Sequence, residues 1–254
     1  MIHKIQRYGW IPDLPDQRDH VYTAPVVKPG VLPSSVDLTR KCPPVYDQGQ
    51  LGSCTGNAIA GAIQFDKLKQ QLDAGSIPSR LFIYFNERVI EGTVNSDSGA
   101  QIRDGIKSVA KLGVCGEEFW PYDLEKFRVK PPKKCYFEAA KHRMVDYQRL
   151  VQSQGQMKSC LAAGYPFLFG FTVYESFEGS AVAKTGKVPL PGSGEKVLGG
   201  HAVLAVGYSD RTERFIVRNS WGTEWGKKGY FTIPYAYLAD SNLSADFWTI
   251  RLVR

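Results

Sequence analysis

Gln48-Gly49-Gln50-Leu51-Gly52-Ser53-Cys54-Thr55 stands directly before a run in which Ala58, Ile59, Ala62, Ile63, Phe65 and Leu68 recur at helical spacing. The pattern predicts a helix that opens near Ser53 and runs to about Leu72, with Gly75 and Pro78 beyond its stop. Cys54 therefore falls at a helix N-terminus, where the backbone dipole favours negative charge and so the thiolate, the nucleophilic form of cysteine. Gly49 and Gly52 let backbone approach closely, so that N–H groups can point at a developing oxyanion. Gln48 offers a side-chain donor to the same place. By itself, a cysteine at a helix start is more often a small buried apolar residue.

Outward from this stretch, a second helix is expected over Ser79 to Glu91 and a third over Gln101 to Leu112, ended by Gly113. Residues 154–164 read as one more short helix. After Pro166 the pattern changes to β-like runs between turn signals: Phe167 to Val173, His201 to Tyr208, Arg214 to Arg218 and Gly229 to Ile233. Helices crowd the first half and strands the second, which predicts an α+β protein of two packed lobes, about 50–150 and 151–254, with a cleft between them. Residues 1–31 hold Gly9, Pro12, Pro15, Pro25, Pro29 and Gly30 without sustained periodicity, and read as an extended arm.

Two further residues complete a set with Cys54. His201 opens a strongly apolar strand after Gly199-Gly200. Asn219 ends another in Asn219-Ser220-Trp221-Gly222-Thr223-Glu224-Trp225-Gly226. Separately, a histidine at a strand end is a hydrogen-bonded structural residue and an asparagine before glycine a turn former. Together, in this order, they carry more.

Gln48-x-Gly-x-x-Gly-Ser-Cys54, His201-Ala202-Val203 with Gly207-Tyr208, and Asn219-Ser220-Trp221-Gly222-x-x-Trp225-Gly226-x-x-Gly229-Tyr230 resemble the three motifs of the papain family of cysteine peptidases. The resemblance spans roughly residues 32–254, beginning at Leu32-Pro33-Ser34-Ser35-Val36-Asp37, which is similar to that family's mature N-terminus. It implies a papain-like fold with a helical lobe and a β-barrel-like lobe. It also implies a Cys54 nucleophile, a His201 acid–base, Asn219 orienting His201, Trp221 shielding that bond, and Gln48 in the oxyanion hole. Proximity to His201 and to the helix N-terminus would lower the thiol pKa. By the same resemblance Ser98 and Gly99 pair with an extended peptide. Ala100, Gln101, Gly199 and Gly200 lie near the S2 pocket, and Ala245 or Asp246 closes it. An inward Asp246 would accept a basic P2 residue and an inward Ala245 a hydrophobic one; the ordinary alternative leaves Asp246 on the surface. Family propeptides block the cleft with a helical domain. Residues 1–31 are too short for that domain, but Tyr8-Gly9-Trp10-Ile11-Pro12 is aromatic and apolar for a terminus. An arm that packs over the groove and regulates it is expected, against simple packing elsewhere.

The departures concern disulfides. Leu51 and Thr55 stand where the family usually has a cysteine and a tryptophan, so one family disulfide is absent. Cys135 resembles another family disulfide position without an obvious partner. The five cysteines, 42, 54, 115, 135 and 160, leave at least one thiol free. None has C-x-x-C spacing, and with four histidines neither metal nor cofactor is expected.

Composition narrows the rest. With 43% hydrophobic and 22% charged residues, the 254-residue chain is ordinary globular protein. No apolar run reaches the roughly 18 residues of a membrane helix. No signal peptide is visible at Met1 to Arg7, so the protein stays inside the cell or a leader lies outside this sequence. The net charge of +7 is dispersed. Its densest run, Lys126 to Lys134, reads as a solvated loop, with an anion-binding surface as the alternative. Neither nucleic acid nor membrane is expected as a partner; a monomer acting on a peptide or protein substrate is. The alternatives to a peptidase are a Cys-dependent acyl transferase or amidase, and a non-catalytic peptide-binding relative.

Overall fold

In the computed structural model, which describes residues 8–22, 32–72, 75–142 and 145–252, Cys54 is the first residue of the helix that ties the molecule together. After the short strand β1 (Ser35–Asp37), α1 (Cys54–Lys69) is buried from Cys54 to Lys67. A helix without a polar face lies between layers, not on a surface. On one side α1 packs against α2 (Arg80–Glu91) and α3 (Ile102–Leu112), and on the other against the sheet. Ser79 caps α2, its hydroxyl accepting the Phe82 N–H at 3.1 Å and donating to the Trp120 carbonyl at 2.7 Å. Gly92, at φ 71°, ends α2 in the left-handed conformation that glycine adopts without penalty.

The chain continues through α4 (Lys133–Ala139), β2 (Val145–Arg149), α5 (Gln154–Ala162), β3 (Phe167–Tyr174), α6 (Ser180–Thr185), β4 (Val197–Ser209), β5 (Arg214–Arg218), β6 (Tyr230–Pro234), α7 (Tyr235–Ala239) and β7 (Ser244–Leu252). The strands form one antiparallel sheet in the order β2-β7-β3-β4-β5-β6, with β1 pairing to the end of β4. The thirteen-residue β4 organises this sheet. Phe167, Phe169 and Phe171 of β3 and Phe247 of β7 stack through its core, all fully or almost fully buried.

The α+β, two-lobed reading holds, with three corrections. The strand path ends at β2 and β6, which do not pair, so the sheet is open and not a closed barrel. The helical stretch of about 50–150 ends earlier, because β2 (Val145–Arg149) already pairs into the sheet, as does β1 from before that stretch. The basic run is not wholly loop: Lys133 and Lys134 open α4. Ala245 and Asp246, expected at the S2 pocket, lie on β7, which begins at Ser244 and runs between β2 and β3. Of the expected arm, residues 1–7 and 23–31 lie outside the described residues.

Candidate active site

The two walls of the cleft meet at Cys54. The Ala202 backbone N–H, beside His201 on β4, donates to Cys54 Sγ at 3.4 Å, so the start of α1 touches the middle of the sheet. His201 Nε2 lies 2.8 Å from Asn219 Oδ1. The same oxygen accepts the Ser220 N–H at 2.9 Å, which fixes the amide with its oxygen toward the imidazole. The indole of Trp221 lies 5.0 Å from the imidazole, centre to centre, and Cys54, His201 and Asn219 are all buried. A histidine bonded this way through Nε2 has its tautomer and ring orientation set by the asparagine.

Gln48 is anchored on three sides. Its Nε2 donates to the Leu51 carbonyl at 2.8 Å, its Oε1 accepts the Ser220 hydroxyl at 2.6 Å, and its backbone N–H donates to the Ser220 carbonyl at 2.8 Å. The Gln48 loop is thereby sewn to the turn that carries Asn219. Sequence reading missed Asp97, which accepts the Gly52 N–H at 3.0 Å and a hydrogen bond from the Tyr84 hydroxyl, tying the Gly52 loop to α2. It also missed Tyr122, whose hydroxyl reaches Ser53 Oγ and the Gln48 carbonyl. Neither sits in a local pattern that marks it.

The arm lies in the cleft. The Ala100 N–H donates to the Gly9 carbonyl at 2.8 Å, the Ile11 N–H to the Ala100 carbonyl at 3.1 Å, and the Trp10 N–H to the Gly200 carbonyl at 2.8 Å. Helical and β walls therefore both hydrogen-bond one strand of arm. A Cβ on Gly9 would sit 1.8 Å from the Gly52 carbonyl oxygen, and one on Gly99 2.2 Å from the Gly9 oxygen, so only glycine fits at this crossing. The Trp10 indole, itself buried, fills the space beside Gly170 and Gly200 and donates Nε1–H to Asp246 Oδ2 at 3.0 Å. Tyr8 covers His201 edge-on at 6.1 Å and donates its hydroxyl to Glu178 at 2.6 Å.

The groove residues sort themselves around the arm. Gly99, Ala100 and Gly200 touch it directly, Gly199 faces Tyr8, and Gln101 accepts the Leu14 N–H at 3.1 Å. Ser98 turns its hydroxyl to the Gly99 carbonyl, and Ala245 pairs with Gly170 across the sheet. Asp246 points inward and is 3% exposed, which overturns the surface reading. Ile11 contributes its backbone, its side chain being exposed.

Burial also reverses the expected thiol chemistry. With Gly9 over it, Cys54 is pushed up to about 12 by desolvation, although the backbone N–H groups of Ala202, Gly9 and Thr55 oppose the shift. Desolvation beneath the arm thus favours the neutral thiol over the thiolate.

Comparison with known proteins gives concordant results. Residues 32–245 match the profile described as papain family cysteine protease. An uncharacterized peptidase C1-like protein of Acanthamoeba polyphaga mimivirus is 44% identical over 98% of this chain and 88% of its own length. Cathepsin K of Gallus gallus is 28% identical over 78% of this chain, which spans 58% of that protein. The crystal structure of xylellain, a cysteine protease from Xylella fastidiosa, superposes with a TM-score of 0.91 at 48% identity, covering 97% of this chain and 96% of that one.

Proposed function

The chain belongs to the papain family of cysteine proteases, and we propose that it hydrolyses peptide bonds with Cys54 as nucleophile, His201 as general acid–base, Asn219 orienting His201 and Gln48 in the oxyanion hole. The observation that carries this assignment is the meeting of Cys54 Sγ with the Ala202 N–H at 3.4 Å, while His201 Nε2 is committed to Asn219 at 2.8 Å. With Nε2 so held, the proton work falls to Nδ1. Once the groove opens to solvent, the helix N-terminus and an imidazolium partner favour the thiolate. Cys54 attacks the scissile carbonyl, and the oxyanion forms against the Gln48 amide and the Cys54 N–H. His201 then protonates the leaving amine and activates water for deacylation. The test is turnover of a fluorogenic peptide: Cys54→Ala abolishes it, and residual activity in that variant removes Cys54 from the role.

The arm supplies the regulation. We infer that residues 8–14 hold the groove in a closed state, because Gly9, Trp10 and Ile11 take up the backbone donors and acceptors of Ala100 and Gly200 that an extended substrate would use. The full burial of Cys54 and His201 supports the same reading.

A further inference from the structure

Three carboxylates stand around the turn Glu175–Glu178, which joins β3 to α6. Two are used within the protein. Glu175 accepts the Lys196 N–H at 3.4 Å, and Glu195 accepts the Ser176 N–H at 3.1 Å and the Gly192 N–H at 2.7 Å. The third, Glu178, is half-buried and accepts from the Tyr8 hydroxyl at 2.6 Å; among the described residues no cation pairs with it. Phe177 sets its position. That ring is buried and packs 5.4 Å from both Trp221 and Trp225, centre to centre, and 6.4 Å from the imidazole of His201. Glu178 is therefore fixed to the wall that carries the acid–base, and the arm supplies the hydrogen bond its charge accepts.

Tyr8 and Trp10 flank Gly9, the residue that crosses the Gly52 loop. Trp10 lies against Gly170, Gly200 and Asp246, whereas the Tyr8 ring lies 6.1 Å from His201 and 6.4 Å from Trp221, centre to centre. The two side chains fill separate spaces on either side of the crossing. A leaving amine must stand beside the imidazole that protonates it, so the first residue of the leaving group, P1′, belongs in the Tyr8 space. We propose, on the strength of the peptidase reading above, that Glu178 is a specificity residue of that space and selects lysine or arginine at P1′. When the arm leaves, Glu178 loses its hydroxyl donor while Phe177 and the backbone bonds to Glu175 and Glu195 keep the turn in place. A half-buried carboxylate stripped of its donor is satisfied again by a charge-assisted hydrogen bond from an ammonium or guanidinium. Lysine carries its ammonium about as far from Cα as tyrosine carries its hydroxyl, so a side chain entering along the path of Tyr8 reaches the same oxygen. Leucine brings no donor there, and an acidic residue meets a like charge.

The test compares the full chain carrying Trp10→Ala with Trp10→Ala/Glu178→Gln, so that the arm is displaced in both, on fluorogenic peptides differing only at P1′. The ratio of kcat/KM for P1′ arginine over P1′ leucine should fall about three- to tenfold in the double variant, between the values of exposed and buried charged pairs. Glu178→Lys should move the preference to P1′ glutamate. A second readout sees the leaving-group side alone. The acyl-enzyme from one ester substrate is offered argininamide or leucinamide, whose amine attacks the thioester carbonyl and gives up a proton as the C–S bond breaks and the Cys54 thiol re-forms. Preference for argininamide should fall in the same proportion. An unchanged ratio in Glu178→Gln would show that the carboxylate serves only to seat Tyr8, and would overturn the proposal. If no peptide is turned over while Cys54 still alkylates, the peptidase reading fails instead. The cation preference is then read from the Cys54 alkylation rates of a cationic and a neutral haloacetamide, measured on the Cys54 peptide; a ratio that Glu178→Gln does not lower would overturn the proposal in its turn.

Discussion

The backbone N–H of Asp13 donates to Asp246 Oδ2 at 2.8 Å, so that an arm residue and a residue of β7 place two carboxyl groups in one buried site. Asp13 accepts from the Arg103 N–H at 3.1 Å and from the Trp248 indole at 2.8 Å, and Asp246 accepts from the Trp10 indole as well. Arg149 approaches Asp246 at 3.7 Å, while Arg103 and Arg149 both reach for Asp19. The arm's polar anchor therefore shares its acceptor with its aromatic anchor. Loss of either one weakens the seat of the other.

This pair makes docking of the arm pH-dependent. Burial, and next the Asp246 charge, raise Asp13 from 3.8 to about 7, against the opposing Arg103 and Trp248 hydrogen bonds. Asp246 is raised in the same direction by burial, and Glu91 nearby is also raised. A carboxyl whose docked pKa exceeds its free value stabilises docking below the free value and loses that contribution as pH rises through the docked one. The window runs from 3.8 to about 7, and the loss is at most tenfold per pH unit for one proton. Hydrogen exchange of the arm, corrected for intrinsic rates, should show protection falling as pH rises across this window. Asp13→Asn should flatten the profile. Protection that increases with pH would contradict the linkage.

Trp10 is the arm's apolar anchor. A tryptophan buries on the order of 200 Å², and truncating a buried one typically costs about 3–5 kcal/mol. Trp10→Ala should therefore displace the arm, raise kcat/KM on a small peptide and speed alkylation of Cys54 at neutral pH, without a matching fall in global Tm. Unchanged kinetics with an unchanged Tm would mean that the arm does not obstruct the site.

What was legible in the sequence follows physical locality. α1, its start at Cys54 and the strands around His201 and Asn219 are set by short-range periodicity and turn residues, and they stand where the spacing puts them. β7 was not legible as a central strand, because Ser244, Asp246 and Thr249 are polar yet buried. Asp246 also takes a left-handed φ of 58°, and the pairing with β3 slips between Leu168 and Gly170. No period-2 pattern survives that. Asp13, Asp97 and Tyr122 act through partners far away in sequence, and a single chain carries no local sign of such pairs. The thiol pKa was misjudged for a related reason: the helix dipole is a local inference and the histidine came with the family resemblance, while Cys54 is buried among residues distant in sequence, Ala202 and Gly9 among them.

Gln48 tests the oxyanion assignment. Removing one donor of this kind typically lowers kcat by about 10²–10³. Gln48→Ala in the Trp10→Ala background should show that fall with a smaller change in KM. Because Gln48 also bonds Leu51 and Ser220, Tm should drop too. Gln48→Glu keeps the acceptor toward Ser220 but removes the amide donor from Leu51 and from the oxyanion alike, so its kcat is read against its own Tm to separate the two effects. If that variant retained full kcat, the Gln48 amide would not be an oxyanion donor.

Asp246 tests the groove's specificity. With Trp10 withdrawn, the space it fills keeps one buried carboxylate aimed at it, supported by Arg149 only at 3.7 Å. A substrate side chain entering there meets an acceptor that has lost the indole and the Asp13 N–H. A buried acceptor without its donors is costly, so a P2 arginine or lysine that supplies charge-assisted donors should be favoured. Comparing Trp10→Ala with Trp10→Ala/Asp246→Ala on peptides differing only at P2 isolates this effect, since the arm is displaced in both. The double variant should lose roughly tenfold or more in kcat/KM for P2 arginine, about 1.5–3 kcal/mol for a hydrogen bond to a charged group, and lose little for P2 leucine. Equal losses on both peptides would show that Asp246 holds the strand in shape and does not read the substrate.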